Sequence, residues 1–86
     1  MSSTKTLIEE RLTQALAPTF LEVIDDSHKH AGHAGAQGGG GHFTVKIVSA
    51  QFEGKSMLEQ HRMIYRLFEQ EMKQQIHALA LRTAAP

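Results

Sequence analysis

The amino-acid sequence predicts a two-layer α+β domain in which helices cover one face of a three-stranded mixed sheet. Three observations support this fold class. Two segments place apolar residues at helical spacing, two strand-like runs flank a segment rich in glycine and histidine, and a third strand-like run lies near the end of the chain. A chain of 86 residues has room for one small domain, so we expect a single domain over residues 1–86.

The first predicted element is a helix over residues 6–17. Its apolar residues recur at steps of three or four, at Ile8, Leu12, Ala15 and Leu16. Thr6 and Glu9 stand three residues apart, as in a capping box, and indicate where the helix begins. Pro18 ends it, because proline cannot continue a helix.

Two predicted strands follow, separated by a loop. Residues 20–26 contain the β-branched Val23 and Ile24, which favour a strand. Residues 43–47 alternate apolar and polar side chains, as a half-buried strand does. The segment between them carries too little apolar surface to offset the entropy of ordering it. We therefore predict a long hairpin with a mobile loop at residues 27–42.

The second half of the chain predicts a helical turn at residues 49–54, a long helix and a third strand. Ser56 and Glu59 form a second predicted capping box at the start of the long helix. Its apolar side is predicted to contain Leu58, His61, Ile64, Tyr65, Leu67, Phe68 and Met72. Residues 76–83 read as the third strand, with one face formed by Leu79, Leu81 and Thr83. The predicted order is α-β-β-α-α-β.

The composition argues against several classes of function. Nine Lys plus Arg balance nine Asp plus Glu, which disfavours the broad basic surface of most nucleic-acid-binding proteins. The absence of cysteine excludes a disulfide scaffold, a thiolate zinc site and a cysteine nucleophile. No apolar run is long enough for a membrane span, and the acidic residues lack a partner nucleophile or phosphate loop. We expect a cytoplasmic protein that is not an enzyme and does not bind membranes.

Several separated motifs carry a resemblance to a known family. They are His42-Phe-Thr-Val-Lys-Ile-Val-Ser49, Phe52-Glu-Gly-Lys55, His61-Arg-Met-Ile-Tyr65 and Ile76-His-Ala-Leu-Ala-Leu81. Taken in this order, they resemble the BolA family from about Leu7 to Thr83. The resemblance implies a class II KH-like fold. It also implies two roles, which are partnership with a monothiol glutaredoxin and DNA-binding regulation of stress response and cell morphology.

The glutaredoxin role implied by the resemblance includes a shared two-iron, two-sulfur (2Fe-2S) cluster, although the partners also form an apo complex. His77 matches the family's ligand histidine before the last strand. The second ligand comes from the loop, where counting back from His42 favours His33 and counting forward from residues 25–27 favours His30; we prefer His33. Imidazole can replace thiolate on one iron, so glutaredoxin and its bound glutathione would supply the sulfur ligands.

The remaining histidines have simpler expected roles. His42 starts a strand and His61 lies in the long helix, and we expect both to be structural, hydrogen-bonded histidines. The loop residues His28, His30 and His33 could also bind zinc or nickel adventitiously.

Basic residues give the DNA role its only support in the sequence. Lys46, Lys55, Arg62 and Arg66 outnumber the acidic residues of the central segment, and we favour a partner-docking or solvated surface over DNA contact. The Gly-x-x-Gly match at residues 32–35 lies in the loop between strands rather than between helices, so it is not a KH nucleic-acid loop. A homodimer, and a mitochondrial matrix or plastid location in a eukaryote, stay open.

Overall fold

A three-stranded sheet and two α-helices form the part of the chain that the computed structural model describes, residues 3–27 and 41–86. In chain order the elements are helix α1 (Thr4–Leu16), strands β1 (Phe20–Asp25) and β2 (Gly41–Val48), a first 3-10 turn (Ala50–Phe52), helix α2 (Met57–Leu67), a second 3-10 turn (Glu71–Lys73) and strand β3 (Ile76–Ala84). The predicted α+β class is confirmed. Residues 28–40 of the predicted mobile loop lie outside the described residues.

Strand β2 is the centre of the sheet, whose order is β1-β2-β3. It pairs with β1 in antiparallel register and with β3 in parallel register, so the predicted hairpin and mixed sheet are confirmed. Gly41 pairs with Ile76, but the next residue, His42, pairs with Ala78. The shift leaves His77 as an extra residue on β3, as in a β-bulge.

One face of the sheet contacts the helices and forms the core. Phe43, Val45 and Ile47 alternate along β2 and are almost completely buried, whereas Thr44 and Lys46 between them point to the opposite face and stay partly accessible. The helices contribute Ile8, Leu12, Leu16 and Ile64 to the same core, and Phe68, directly after α2, joins them. In the described ranges, neither helix has the length and apolar character needed to cross a membrane.

Helix α1 begins two residues earlier than predicted. The Ser3 hydroxyl accepts a hydrogen bond from the Thr6 backbone N–H at 3.1 Å, so Ser3 is the N-cap and the predicted Thr6–Glu9 capping box is wrong. At the other end, Ala17 takes a left-handed conformation with φ 43°, and its N–H donates to the Thr13 carbonyl. This αL cap, followed by Pro18, ends the helix as predicted.

Helix α2 starts at the predicted capping box, because the Ser56 and Glu59 side chains each accept the other's backbone N–H. Its predicted continuation to Met72 is wrong, since the helix ends at Leu67 and the chain turns there. The cause lies outside the helix: the Arg11 guanidinium on α1 donates to the Leu67 carbonyl at 2.8 Å.

The buried face of α2 also differs from the predicted apolar side. Leu58 and Tyr65 are 59% and 38% exposed, whereas Gln60 is buried. The Gln60 amide donates to the Lys55 carbonyl at 2.9 Å, and its oxygen accepts from the Thr83 hydroxyl at 2.6 Å. A polar side chain can occupy this position because both ends of its amide are satisfied.

Arg11 connects α1 to the segment that follows α2. Beyond its bond to Leu67, it donates to the Glu71 carboxylate at 2.6 Å, and its guanidinium lies 5.3 Å from the centre of the Phe68 ring. The hydrogen bond from Arg11 lowers the pKa of Glu71 below its ordinary value. One cation thereby holds the turn that leads from α2 to β3.

We predict that Glu71→Gln lowers the free energy of unfolding by about 1 kcal/mol at neutral pH. Because the pKa of Glu71 is lower in the folded protein, its stabilisation is present at neutral pH and is lost as the pH falls through the folded-state pKa. Urea unfolding at several pH values should therefore show a difference in unfolding free energy between wild type and Glu71→Gln that shrinks below about pH 4. Glu69→Gln is the control. An equal difference at acidic and neutral pH would contradict this account.

Candidate functional site

His77 lies at the start of β3, where the bulge sets its position. Its predecessor Ile76 is completely buried and fixes the strand to the core, while His77 itself is exposed. The Gly41 N–H donates to the Gln75 carbonyl at 2.7 Å and holds the two strands together just before the bulge. A bulge re-aims side chains at the end of a strand, so this one presents an imidazole at the surface between two paired residues, Ile76 and Ala78.

The imidazole of His42 lies beside that of His77. The two ring centres are 5.0 Å apart and the ring planes are tilted by 45°. His42 was expected to be a structural histidine, and sequence reasoning missed this pair. No local pattern in the sequence marks the pair, because it depends on the pairing of β2 with β3 and on the bulge.

Both ends of the loop between β1 and β2 meet at this pair. The His42 N–H donates to the Ser27 hydroxyl at 3.1 Å, and the Asp26 N–H donates to the His42 carbonyl at 2.7 Å. The Asp26 carboxylate accepts a hydrogen bond from the Thr44 hydroxyl at 2.6 Å. We call the site formed by Ser27, Gly41, His42 and His77 the histidine corner.

Gly41 is required at the histidine corner because of a close approach. A Cβ atom at this position would lie 2.5 Å from the Phe43 ring and 2.8 Å from the Ser27 hydroxyl. The Phe43 ring and the Ser27 hydroxyl therefore both pack directly against the Gly41 backbone, where a side chain would not fit.

The donor set of the corner suits a metal or cluster that is completed by other groups. Imidazole nitrogens are borderline ligands for iron, zinc and copper. Within residues 3–27 and 41–86, no group of three or more His, Cys, Asp or Glu side chains is placed to hold a metal ion. The predicted loop ligands His33 and His30 lie outside the described residues. Among the described residues, the corner therefore offers two imidazoles and no third ligand of these types.

Three of the four predicted basic residues lie together. Lys55, Arg62 and Arg66 line a shallow groove along α2, with Glu59 and Met63. The pKa of Glu59 is lowered, first by its hydrogen bonds from Ser56 and then by the nearby Lys55 and Arg62. The groove thus carries three positive charges and one negative charge at neutral pH.

Lys46 and His61, which also had predicted roles, do not line this groove. Lys46 lies on the face of the sheet opposite the core, 3.8 Å from the Glu22 carboxylate, and is separate from the groove. His61 was expected to be hydrogen-bonded, and this is wrong for one nitrogen: its Nε2 is buried with no hydrogen-bond partner among the described residues.

Comparison with known proteins points to one family. The family model described as BolA-like protein matches residues 12–86. The chain is 46% identical over 76 residues to the DNA-binding transcriptional regulator BolA of Escherichia coli, covering 88% of this chain and 70% of that protein. It is 44% identical over 84 residues to SufE-like protein 1, chloroplastic/mitochondrial, of Arabidopsis thaliana, covering 92% of this chain. The chain spans only 23% of the length of that relative.

Solved structures show the same fold. The BolA domain of SufE1 from Arabidopsis thaliana superposes with a TM-score of 0.85 at 42% identity, covering 100% of this chain and 95% of that one. The solution structure of BolA1 from Mus musculus gives a TM-score of 0.79 at 36% identity, covering 100% of this chain and 68% of that one. The described elements therefore match a BolA domain in extent and arrangement.

We predict that Gly41→Ala disturbs the histidine corner. The added methyl group must displace the Phe43 ring or Ser27, which should cost about 1–3 kcal/mol of unfolding free energy and shift the NMR signals of both imidazoles. Gly54→Ala is the control for the imidazole signals: alanine is disfavoured at φ 74°, but its Cβ would meet no atom within 4 Å, so the signals of His42 and His77 should not move. Wild-type stability with unmoved His42 and His77 signals in Gly41→Ala would show that the corner is not packed in this way.

Proposed function

The chain belongs to the BolA family, and from that premise we propose that it is a non-enzymatic adaptor that binds a monothiol glutaredoxin. The two proteins would share a 2Fe-2S cluster in iron–sulfur cluster trafficking and iron or redox regulation. The observation that carries the proposal is the exposed imidazole of His77, held at the histidine corner between the paired residues Ile76 and Ala78. A cluster shared between two chains needs its ligands at the surface, where both can reach it.

The ligand chemistry favours a partner that brings thiolates. Imidazole can take the place of cysteine on one iron of a 2Fe-2S cluster, but the chain has no cysteine for the remaining positions. The cysteine of a monothiol glutaredoxin and its bound glutathione would supply them. When bound, the cluster supplies iron and sulfide for transfer and can accept an electron, while this chain contributes imidazole lone pairs and their orientation.

The second ligand is proposed to come from the loop, from His33 or alternatively His30. His33 is six residues from Ser27 and eight from Gly41, and these two residues flank the His42–His77 pair. Six residues of chain extend to about 20 Å, so both loop histidines have the length of chain needed to reach the corner.

The basic groove is proposed to orient the partner. Lys55, Arg62 and Arg66 give one side of α2 an excess of positive charge. Complementary charge increases the rate of encounter and selects the partner's orientation more than it adds affinity. A glutaredoxin with an acidic surface patch would fit this groove.

The cluster proposal also indicates a compartment. Partner thiolates must stay reduced, so we propose the cytoplasm or, in a eukaryote, the mitochondrial matrix or a plastid. The name of the relative SufE-like protein 1 places that protein in chloroplasts and mitochondria.

We predict that His77→Ala, co-expressed with a monothiol glutaredoxin, loses the visible absorption and circular dichroism of the shared cluster. The lost ligand leaves one iron incompletely coordinated. His61→Gln is the control, because it removes an imidazole from α2 and leaves the corner intact. The same spectra for His30→Ala and His33→Ala decide between the two loop candidates. An unchanged spectrum after His77→Ala would reject the assignment of His77 as a ligand.

The second candidate function is DNA-binding regulation of stress response and cell morphology. The groove of Lys55, Arg62 and Arg66 favours it, as does the name of the Escherichia coli relative, DNA-binding transcriptional regulator BolA. Binding through a groove on one helix would be weak and strongly salt-dependent, since three cations release few counterions.

For this second function we predict that Arg62→Ala with Arg66→Ala weakens binding to duplex DNA and lowers the salt dependence by roughly one unit of slope per lost phosphate contact. Lys46→Ala, which removes one positive charge from the face of the sheet opposite the core, is the control. Fluorescence anisotropy at about 50 mM salt is the most sensitive condition, because electrostatic affinity is greatest there. No binding at that salt concentration would exclude the DNA function.

A further inference from the structure

We propose that His42 and His77 form a two-imidazole chelate for a single divalent zinc ion in the chain alone. This site goes beyond the proposed function, because it requires neither glutaredoxin nor sulfide. It also makes His42 a ligand, a role that neither the family resemblance nor the sequence pattern gave it.

The separation of the two rings is the first support. Imidazole nitrogens that bind one Zn²⁺ tetrahedrally at about 2.0–2.1 Å place their ring centres roughly 5 Å apart. The observed separation is 5.0 Å.

The backbone beneath the pair is the second support. His42 lies in the central strand, with its N–H bonded to Ser27 and its carbonyl to Asp26. His77 is held between two fixed neighbours. Ile76 before it is completely buried, and Ala78 after it pairs with His42. Ligands on paired strands are preorganised, so less conformational entropy is lost when the ion binds.

The open side of the pair is the third support. His77 is exposed, so an ion can enter and keep solvent ligands. The described ranges place no third His, Cys, Asp or Glu in a ligand group here, so water or small anions complete the coordination. Borderline ions with a preference for imidazole suit such a site.

Zinc would occupy the same His77 lone pair that the proposed cluster uses. Zinc and cluster would then exclude each other, and zinc would hold the adaptor in a form without a cluster. The zinc site itself is tested on the isolated chain, so its failure leaves the glutaredoxin proposal untouched.

The test uses the full chain with His28, His30 and His33 replaced by alanine, so that the loop histidines cannot bind the ion. Calorimetric titration with ZnCl₂ should give one ion per chain. Adding either His42→Gln or His77→Gln should weaken zinc binding by on the order of tenfold or more. That is at least the loss expected when a residue that only orients a metal ligand is replaced. His61→Gln in the same background should bind zinc normally. Thermal unfolding of each variant without zinc checks that it is folded.

A second measurement does not depend on the variants. In the same background, ¹⁵N imidazole NMR spectra should show the ring nitrogens of His42 and His77 shifting together with added ZnCl₂, at one ion per chain, while those of His61 stay in place. Zinc affinity unchanged by His77→Gln would overturn the proposal. So would ring signals of the pair that do not respond to zinc.

Discussion

The parallel pairing of β2 with β3 is the interaction on which the rest of the structure depends. Parallel neighbours cannot be joined by a tight turn, so the chain between Val48 and Ile76 must cross over the sheet. That crossover contains α2 and the buried Phe52 and Phe68, which form much of the core. The same pairing brings the first residues of β2 beside those of β3 and so creates the histidine corner.

Polar contacts hold the crossover in place at both of its ends. Where it leaves β2, the completely buried Ser49 donates its hydroxyl to the Leu16 carbonyl at 2.7 Å and accepts the Gln51 N–H. Where it returns, Arg11 binds the Leu67 carbonyl and Glu71. Both contacts reach back to α1, so the first helix fixes the geometry of a connection that comes much later in the chain. The position of His77 therefore depends on residues far from it in sequence.

Local patterns were enough to predict most of the elements. Alternation along residues 43–47 identified β2, and the Ser56–Glu59 capping box identified the start of α2, because both signals depend on near neighbours. The end of α2 was not predictable, since it is set by Arg11 from another helix. The buried side of α2 was predicted poorly, because Gln60 enters the core through a hydrogen bond to Thr83 on β3.

The candidate site, too, was only partly predictable from the sequence. The importance of His77 came from the family resemblance, and the part played by His42 came only from the structure. A one-residue bulge decides which β3 side chain lies beside His42, and no feature of the sequence marks it. If the register from Ala78 onward continued without the bulge, residue 77 would pair with Gly41 on the core face and leave no imidazole pair.

The central claim is that the bulge brings the imidazoles of His42 and His77 into contact. Nuclear Overhauser measurements on the isolated chain, with ring protons assigned, test it most directly. The account predicts cross-peaks between the two rings, together with backbone cross-peaks that join His42 to Ala78 and Gly41 to Ile76. Backbone cross-peaks joining His42 to Ala78 and Gly41 to His77 in a continuous ladder, with no contact between the rings, would contradict it.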